Sequence, residues 1–271
     1  MAKNLTGLVL ADFPRFIRIE TCLFISCIAA SGFLLFGRAL GMLLWAFLSV
    51  FFACGAGYAL NHMTDMGEDA INNRKISRFA GTRTGWLVVM VFSAAGFCFS
   101  LFLPFTAFIM YAACLLMTAA YSLMRIKKRL LLKNAYTGFN IAGSFMVGAT
   151  AAKPFAFEMI GYAFFAFIFG FLLNLLGDIR GCAGDRVNDV RTIPVVLGEN
   201  AAKKVAYGLA AVFSASVTAF GYVMLYPLVP FMLAISFFLH RNEHKKSRAA
   251  ILSSFVFLSL FLMAAGFAGG V

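Results

Sequence analysis

Acidic residues are scarce: eleven Asp and Glu stand against 23 Lys and Arg in 271 residues, and charged residues of both signs make up only 13%. A soluble domain carries about 25% charged residues to clothe its surface, so this composition excludes an ordinary water-soluble fold. Proline is equally rare, at six residues, and no Pro-, Gly- or Ser-rich tract interrupts the chain. Nothing marks a linker, so residues 1–271 read as a single domain. The six cysteines, Cys22, Cys27, Cys54, Cys98, Cys114 and Cys182, include no C-x-x-C pair, and the first five lie inside apolar runs. That excludes a zinc or disulfide framework and leaves small packing residues in a reduced setting. No convincing cleavage site follows Lys3, Arg15 and Arg18, so the first apolar run reads as a retained helix rather than a signal peptide.

What is abundant is apolar: 62% of positions are hydrophobic, and they come in long runs. Such runs read as bilayer spans, and the chain as an all-α, polytopic membrane bundle of about nine helices. The spans are expected at 21–36, 39–60, 85–103, 105–124, 135–152, 155–176, 205–225, 227–239 and 249–267. The uncharged stretch from Thr84 to Met124 would be about 60 Å long as one helix, against a hydrocarbon core of about 30 Å. It must fold back, and Pro104 is the natural break. The stretch from Val205 to His240 divides near Pro227 and Pro230 by the same reasoning.

The basic residues test this count. Under it, 21 of the 23 Lys and Arg fall on the side of the amino terminus, and only Arg38 and Lys153 on the other. The positive-inside rule therefore predicts a multi-pass protein of the cell membrane, with a cytoplasmic amino terminus and the carboxyl terminus outside. The net charge of +12 and pI of 9.7 come from these loop clusters and not from a nucleic-acid-binding surface.

Six of the eleven acids fall in two short segments on the cytoplasmic side. One holds Asn61, Asp65, Glu68 and Asp69 directly after the second span. The other holds Asn174, Asp178, Asp185 and Asp189 at the end of the sixth. On continuing helices, Asn61, Asp65 and Asp69 share one face, and so do Asp178, Asp185 and Asp189; Glu68 points elsewhere. Both stripes begin with Asn followed four residues later by Asp, a hint of internal repetition. Stacked carboxylates repel one another unless a cation sits among them. Magnesium suits them, because it takes oxygen ligands and bridges carboxylates to substrate phosphates. Two facing stripes would hold metal ions over a diphosphate, with nearby Arg and Lys taking up the remaining charge. His62 reads as a structural hydrogen-bonding residue. Asn140 and Asn174, inside spans, are expected to bond across helices or line a cavity. The 33 phenylalanines read mostly as lipid-facing packing, some of them available to line an apolar tunnel.

These residues resemble the UbiA-type intramembrane prenyltransferase superfamily over nearly the whole chain. Asn61, Asp65 and Asp69 match its first Asn-x-x-x-Asp-x-x-x-Asp motif, and Arg74 and Arg78 resemble the basic pair that follows. The run from Gly184-Asp185-Arg186 to Gly198 is similar to the stretch heading the seventh span. Tyr121, Lys128, Arg129 and Asn134 resemble the basic loop after span four, and Arg15 and Arg18 the basic residues ahead of span one. The chain departs from the family at Gly181, where the first Asp of the second motif belongs; Asp178, one turn earlier, and Asp189, one turn later, are alternative sources of that carboxylate.

The resemblance implies an allylic polyprenyl diphosphate donor bound through Mg2+ held by Asp65, Asp69 and Asp185 with Asp178 or Asp189, while Asn61 orients the site. It implies diphosphate contacts from Arg15, Arg18, Arg74, Arg78, Tyr121, Lys128 and Arg129. The acceptor it implies is hydrophobic or aromatic, either a quinone precursor such as 4-hydroxybenzoate or a glycerol-phosphate lipid. The rival readings are a cation-coupled transporter, which would place its acids near mid-span, a CDP-linked alcohol phosphotransferase, whose Asp-Gly-x-x-Ala-Arg signature is absent, and a non-catalytic relative.

Overall fold

A computed structural model of the chain describes residues 12–64, 66, 76–124 and 130–268. Nine long helices account for most of them: α1 (Ile19–Phe36), α2 (Leu40–Thr64), α3 (Arg83–Ser100), α4 (Phe105–Leu123), α5 (Leu132–Ala152), α6 (Glu158–Val187), α7 (Glu199–Ala219), α8 (Val229–His240) and α9 (His244–Ala268). Each corresponds to one expected span. Pro104 caps α4 at the anticipated break. The second break is a 3-10 turn, Val223–Leu228, containing Pro227, with Pro230 in the first turn of α8.

Two boundaries differ. Helix α7 begins at Glu199 and ends at Ala219 instead of running from 205 to 225. Its start is set by Gly198, whose φ of 87° lets the chain leave the short helix Ile193–Leu197 and begin anew. Helix α6 runs 30 residues, eleven beyond the expected end at Leu176. The apolar run stops there, but the helix does not, and at about 1.5 Å per residue its last three turns project past a core of about 30 Å.

Seven segments are long and apolar enough to cross a membrane by length and composition. Helices α5 and α7 are the two that fall short. α5 is the more instructive: Lys133, Asn134, Thr137, Asn140, Ser144 and Thr150 lie along it because it faces its neighbours rather than lipid. Its close partners are α1, α2, α4 and α6. The α1–α5 crossing is set by glycine. A Cβ at Gly148 would sit 1.7 Å from the Ala29 carbonyl oxygen, and one at Gly32 would sit 2.3 Å from that of Phe145. Backbones at this range accept no side chain. Gly148→Val is therefore expected to cost about 3 kcal/mol or more, read as a lowered unfolding midpoint in detergent.

The bundle closes on itself. Helix α9 packs against both α8 and α1. Ser31 Oγ of α1 lies 2.9 Å from Ser259 Oγ of α9, which is 2.8 Å from the Cys27 carbonyl oxygen. The main buried cluster threads α1, α2 and α4–α9, whereas α3 leans chiefly on α2.

Candidate active site

One cavity of about 230 Å3 opens among α1, α2, α4, α5, α6 and α9. Its mouth is basic, with Arg18, Arg180 and Arg248 contributed by three different helices or their ends. Asn61 of α2 and Asn174 of α6 both line it, whereas Asp178 and Asp185 are not among its lining residues. Tyr58, Tyr121 and Tyr136 line it near the mouth, and Tyr111, Val50, Ile141 and Val147 further along their helices. Among the described residues no phenylalanine lines it. The aromatic lining expected from the phenylalanines comes instead from tyrosine, and the phenylalanines pack between helices or face outward.

The first helix supplies Arg18 through a backbone break. A helical turn at 12–16 ends, Arg18 takes left-handed angles (φ 50°, ψ 57°), and α1 begins. Its guanidinium lies 5.0 Å from the centre of the Tyr58 ring, one turn before Asn61. Arg15, by contrast, is exposed and 3.8 Å from Asp12, outside the cavity lining. Arg78 is also outside it. Its backbone N–H donates to Asp12 Oδ2 at 2.8 Å, and Ser77 Oγ donates to the same oxygen at 2.8 Å. Asp12 thus ties the amino-terminal turn to the segment before α3, a role the sequence did not suggest.

Polar residues inside the bundle bridge helices. Asn140 donates to Thr118 Oγ1 of α4 at 2.7 Å. Asn174 donates to the Lys133 carbonyl oxygen at 3.1 Å and to Thr137 Oγ1 at 3.2 Å, fixing the first turn of α5 against α6. Tyr121 lines the cavity beside Tyr136, ring centres 5.6 Å apart. His62 stacks on Phe16 at 5.7 Å, in keeping with a structural role.

Of the second acidic stripe, Asp178 and Asp185 are buried, at 1% and 7% exposure, two turns apart on α6. Lys133 Nζ donates to Asp178 Oδ1, while Asp178 Oδ2 is buried without a hydrogen-bond partner among the described residues. The stripe does not extend to Asp189. Helix α6 ends at Val187, and Asp189 sits exposed in a left-handed turn at φ 53°. Asn188 to Arg191 are all non-helical, which removes the eleven-residue register the sequence pattern assumed. Asp65, Glu68, Asp69, Arg74, Lys128 and Arg129 lie outside the described residues.

Asn61 Oδ1 and Asp178 Oδ2 are each buried without a hydrogen-bond partner among the described residues and are oxygens of the kind a hard divalent cation takes, but only Asn61 of the two lines the cavity. Among the described residues no three His, Cys, Asp or Glu gather in one place, so a metal site needs the first motif as well as α6. Asp178 and Asp185 stand in the last three turns of α6 and Glu158 in its first, at the helix ends rather than mid-span, which counts against a transporter's ion path.

Sequence reasoning missed Arg248, Tyr58 and Lys133. Arg248 is one of four basic residues, with Arg241, Lys245 and Lys246, between the eighth and ninth expected spans. The signal that separates it is helical period: Arg248 shares the inward face of α9 with Ile251, Phe255 and Leu258, all buried, and donates to Thr21 Oγ1 of α1 at 3.4 Å.

Comparison with known proteins gives a consistent answer. Residues 21–262 match the sequence profile of the UbiA prenyltransferase family. A digeranylgeranylglyceryl phosphate synthase of Natronomonas pharaonis is 30% identical over 202 residues, covering 71% of this chain and 72% of the relative. Its namesake in Thermococcus kodakarensis is 28% identical over 283 residues, covering 93% and 98%. Among solved structures, a UbiA homolog from Archaeoglobus fulgidus bound to DMAPP and Mg2+ superposes with a TM-score of 0.76 at 19% identity, over 95% of this chain and 98% of that one. An apo UbiA homolog from Aeropyrum pernix K1 gives 0.75 at 18% identity, over 93% and 98%.

Proposed function

The chain belongs to the UbiA prenyltransferase family as a multi-pass membrane transferase of prenyl groups, and from that premise we propose that it moves a polyprenyl group from an allylic polyprenyl diphosphate to a hydroxyl of a glycerol-phosphate lipid. The observation that carries this reading is the cavity itself, basic at its mouth, rimmed by Asn61 and Asn174, and walled by tyrosine and aliphatic residues. A lipid chain fits the aliphatic part, and an anionic headgroup the basic end. The relatives' names describe two prenyl chains on a glycerol phosphate, and nothing in them supports an aromatic acceptor such as 4-hydroxybenzoate.

In this reading Asp65 and Asp69, with Asp185 and Asp178, hold magnesium, and Asn61 orients the donor. Magnesium, when bound, offsets the charge that develops on the departing diphosphate. Arg18, Tyr121 and Arg180 act at the cavity mouth on the same diphosphate, with Arg74, Lys128 and Arg129 assigned to it from the family pattern. Arg15 and Arg78 support the entry segment. The bond from the prenyl C1 to the diphosphate oxygen breaks, and the tyrosine faces near the mouth stabilise the allylic cation. The acceptor oxygen then closes a new C–O bond at C1, and its proton leaves on the diphosphate. Packed helices keep bulk water from competing. The whole chain acts as one unit in the cell membrane, with the amino terminus and the acidic ends of α2 and α6 in the cytoplasm and the carboxyl terminus outside, as the basic-residue asymmetry favours.

Arg248 and Arg18 have no carboxylate partner among the described residues, which suits them to a phosphate monoester headgroup. The test is purified protein with Mg2+, labelled geranylgeranyl diphosphate, and either geranylgeranylglyceryl phosphate or 4-hydroxybenzoate. Ether product with the first acceptor alone is expected, and prenylation of the second alone would overturn the reading. Arg248→Ala is expected to raise KM for the lipid acceptor about 10- to 100-fold with donor KM little changed, as loss of one charge-assisted contact implies.

A further inference from the structure

The cavity keeps one length on three of its helices and a shorter one on two others. Eleven residues separate Asn61 from Val50 on α2, Ser122 from Tyr111 on α4 and Tyr136 from Val147 on α5. At about 1.5 Å per residue, each of these walls runs about 16 Å from the basic end. On α1 and α6 the lining stops at Ile25 and Leu173, about 10 Å from Arg18 and Arg180 by the same rise. The far part therefore lies among α2, α4 and α5, and packed residues end it. One turn past the last lining residue of α1, α2, α4 and α5 stands an alanine: Ala29, Ala46, Ala107 and Ala151, none more than 6% exposed. Small residues let helices converge, and α1 meets α5 backbone to backbone at Ala29 and Gly148.

Tyr111 is the bulky side chain at that end, beside Val50 and Val147. It is buried, and its hydroxyl reaches across to α3. A Cβ at Gly96 would lie 2.7 Å from Tyr111 Oη and 3.1 Å from the Ser49 carbonyl oxygen of α2, so only glycine admits the hydroxyl there. Tyr111 Oη has no hydrogen-bond partner among the described residues, which means that shape holds the ring in place.

We infer that Tyr111 is the stop of a molecular ruler for the donor's prenyl chain, which admits up to four isoprene units and turns away longer chains. The inference rests on the prenyl-diphosphate reading above and adds the length of the group transferred. An isoprene unit adds four bonds of about 1.5 Å, or about 4–5 Å along the chain, so walls of about 16 Å span three to four units. A fifth unit would have to displace a ring that is already packed against α2 and α3, in an interior with little free volume.

The experiment reads donor binding, so it does not depend on the acceptor. Purified full-length protein with Mg2+ is loaded with labelled geranylgeranyl diphosphate, which is displaced by unlabelled all-trans prenyl diphosphates of two to six units. Affinity is expected to rise up to four units, as added apolar surface favours, and to fall about 10- to 100-fold at five. Tyr111→Ala is expected to bind the five-unit donor as well as the four-unit one, and Tyr111→Phe to keep the wild-type limit. Where Tyr111→Ala does not fold, Tyr111→Leu serves the same comparison. Wild-type protein that binds five and six units as tightly as four would overturn the inference and leave the prenyl-diphosphate reading intact, since the chain would then leave sideways into lipid. No saturable binding of any prenyl diphosphate would overturn both. A folded Tyr111→Ala or Tyr111→Leu protein with the limit unmoved would overturn Tyr111 as the stop.

Discussion

Asp185→Asn is expected to lower prenyl transfer by about 100- to 1000-fold or more with the helical content and unfolding midpoint nearly unchanged, and Asp65→Asn and Asp69→Asn to do the same. The size follows from what the carboxylates are asked to do. Diphosphate departure concentrates negative charge in a site of low dielectric, and if these carboxylates hold magnesium as proposed, loss of one forfeits stabilisation made chiefly in the transition state. Asn keeps the size and some hydrogen bonding of Asp, so packing around α6 survives. Diphosphate release from labelled donor, measured beside circular dichroism, separates chemistry from folding. Full activity in all three variants would remove the site.

Lys133→Met is expected to destabilise the protein by about 3–5 kcal/mol in metal-free buffer, because it strands a carboxylate that is almost fully buried. The double change Lys133→Met/Asp178→Leu is expected to recover most of that loss, since an apolar pair of similar volume leaves no orphaned charge. The two variants form a cycle whose coupling distinguishes an ion pair from simple loss of packing. Denaturant or thermal melts in the same detergent provide the readout. A Lys133→Met protein as stable as the wild type would mean that the pair is solvated after all.

Much of the architecture was legible because bilayer-spanning helices advertise themselves by length, and Pro104 by its missing N–H and fixed φ. The helix ends were less legible. A hydropathy window stops where charges begin, yet α6 continues through Asp178 and Asp185 because backbone hydrogen bonding does not require apolar side chains. The same blindness placed Asp189 on a stripe that ends at Val187. Contacts between distant segments were beyond the pattern. Nothing in the order of residues couples Lys133 to Asp178, or Arg248 to Thr21, until α5 meets α6 and α9 meets α1. Asn140 and Asn174 were readable for the opposite reason: an amide inside a span has few choices other than a neighbouring helix.

The seam between α1 and α9 orders events during synthesis. Residues that emerge first and nearly last must meet, at Ser31 and Ser259 and at Thr21 and Arg248, before the cavity has its full wall. A nascent chain that has inserted eight helices therefore lacks Arg248 from its cavity wall and leaves α1 uncovered on one flank.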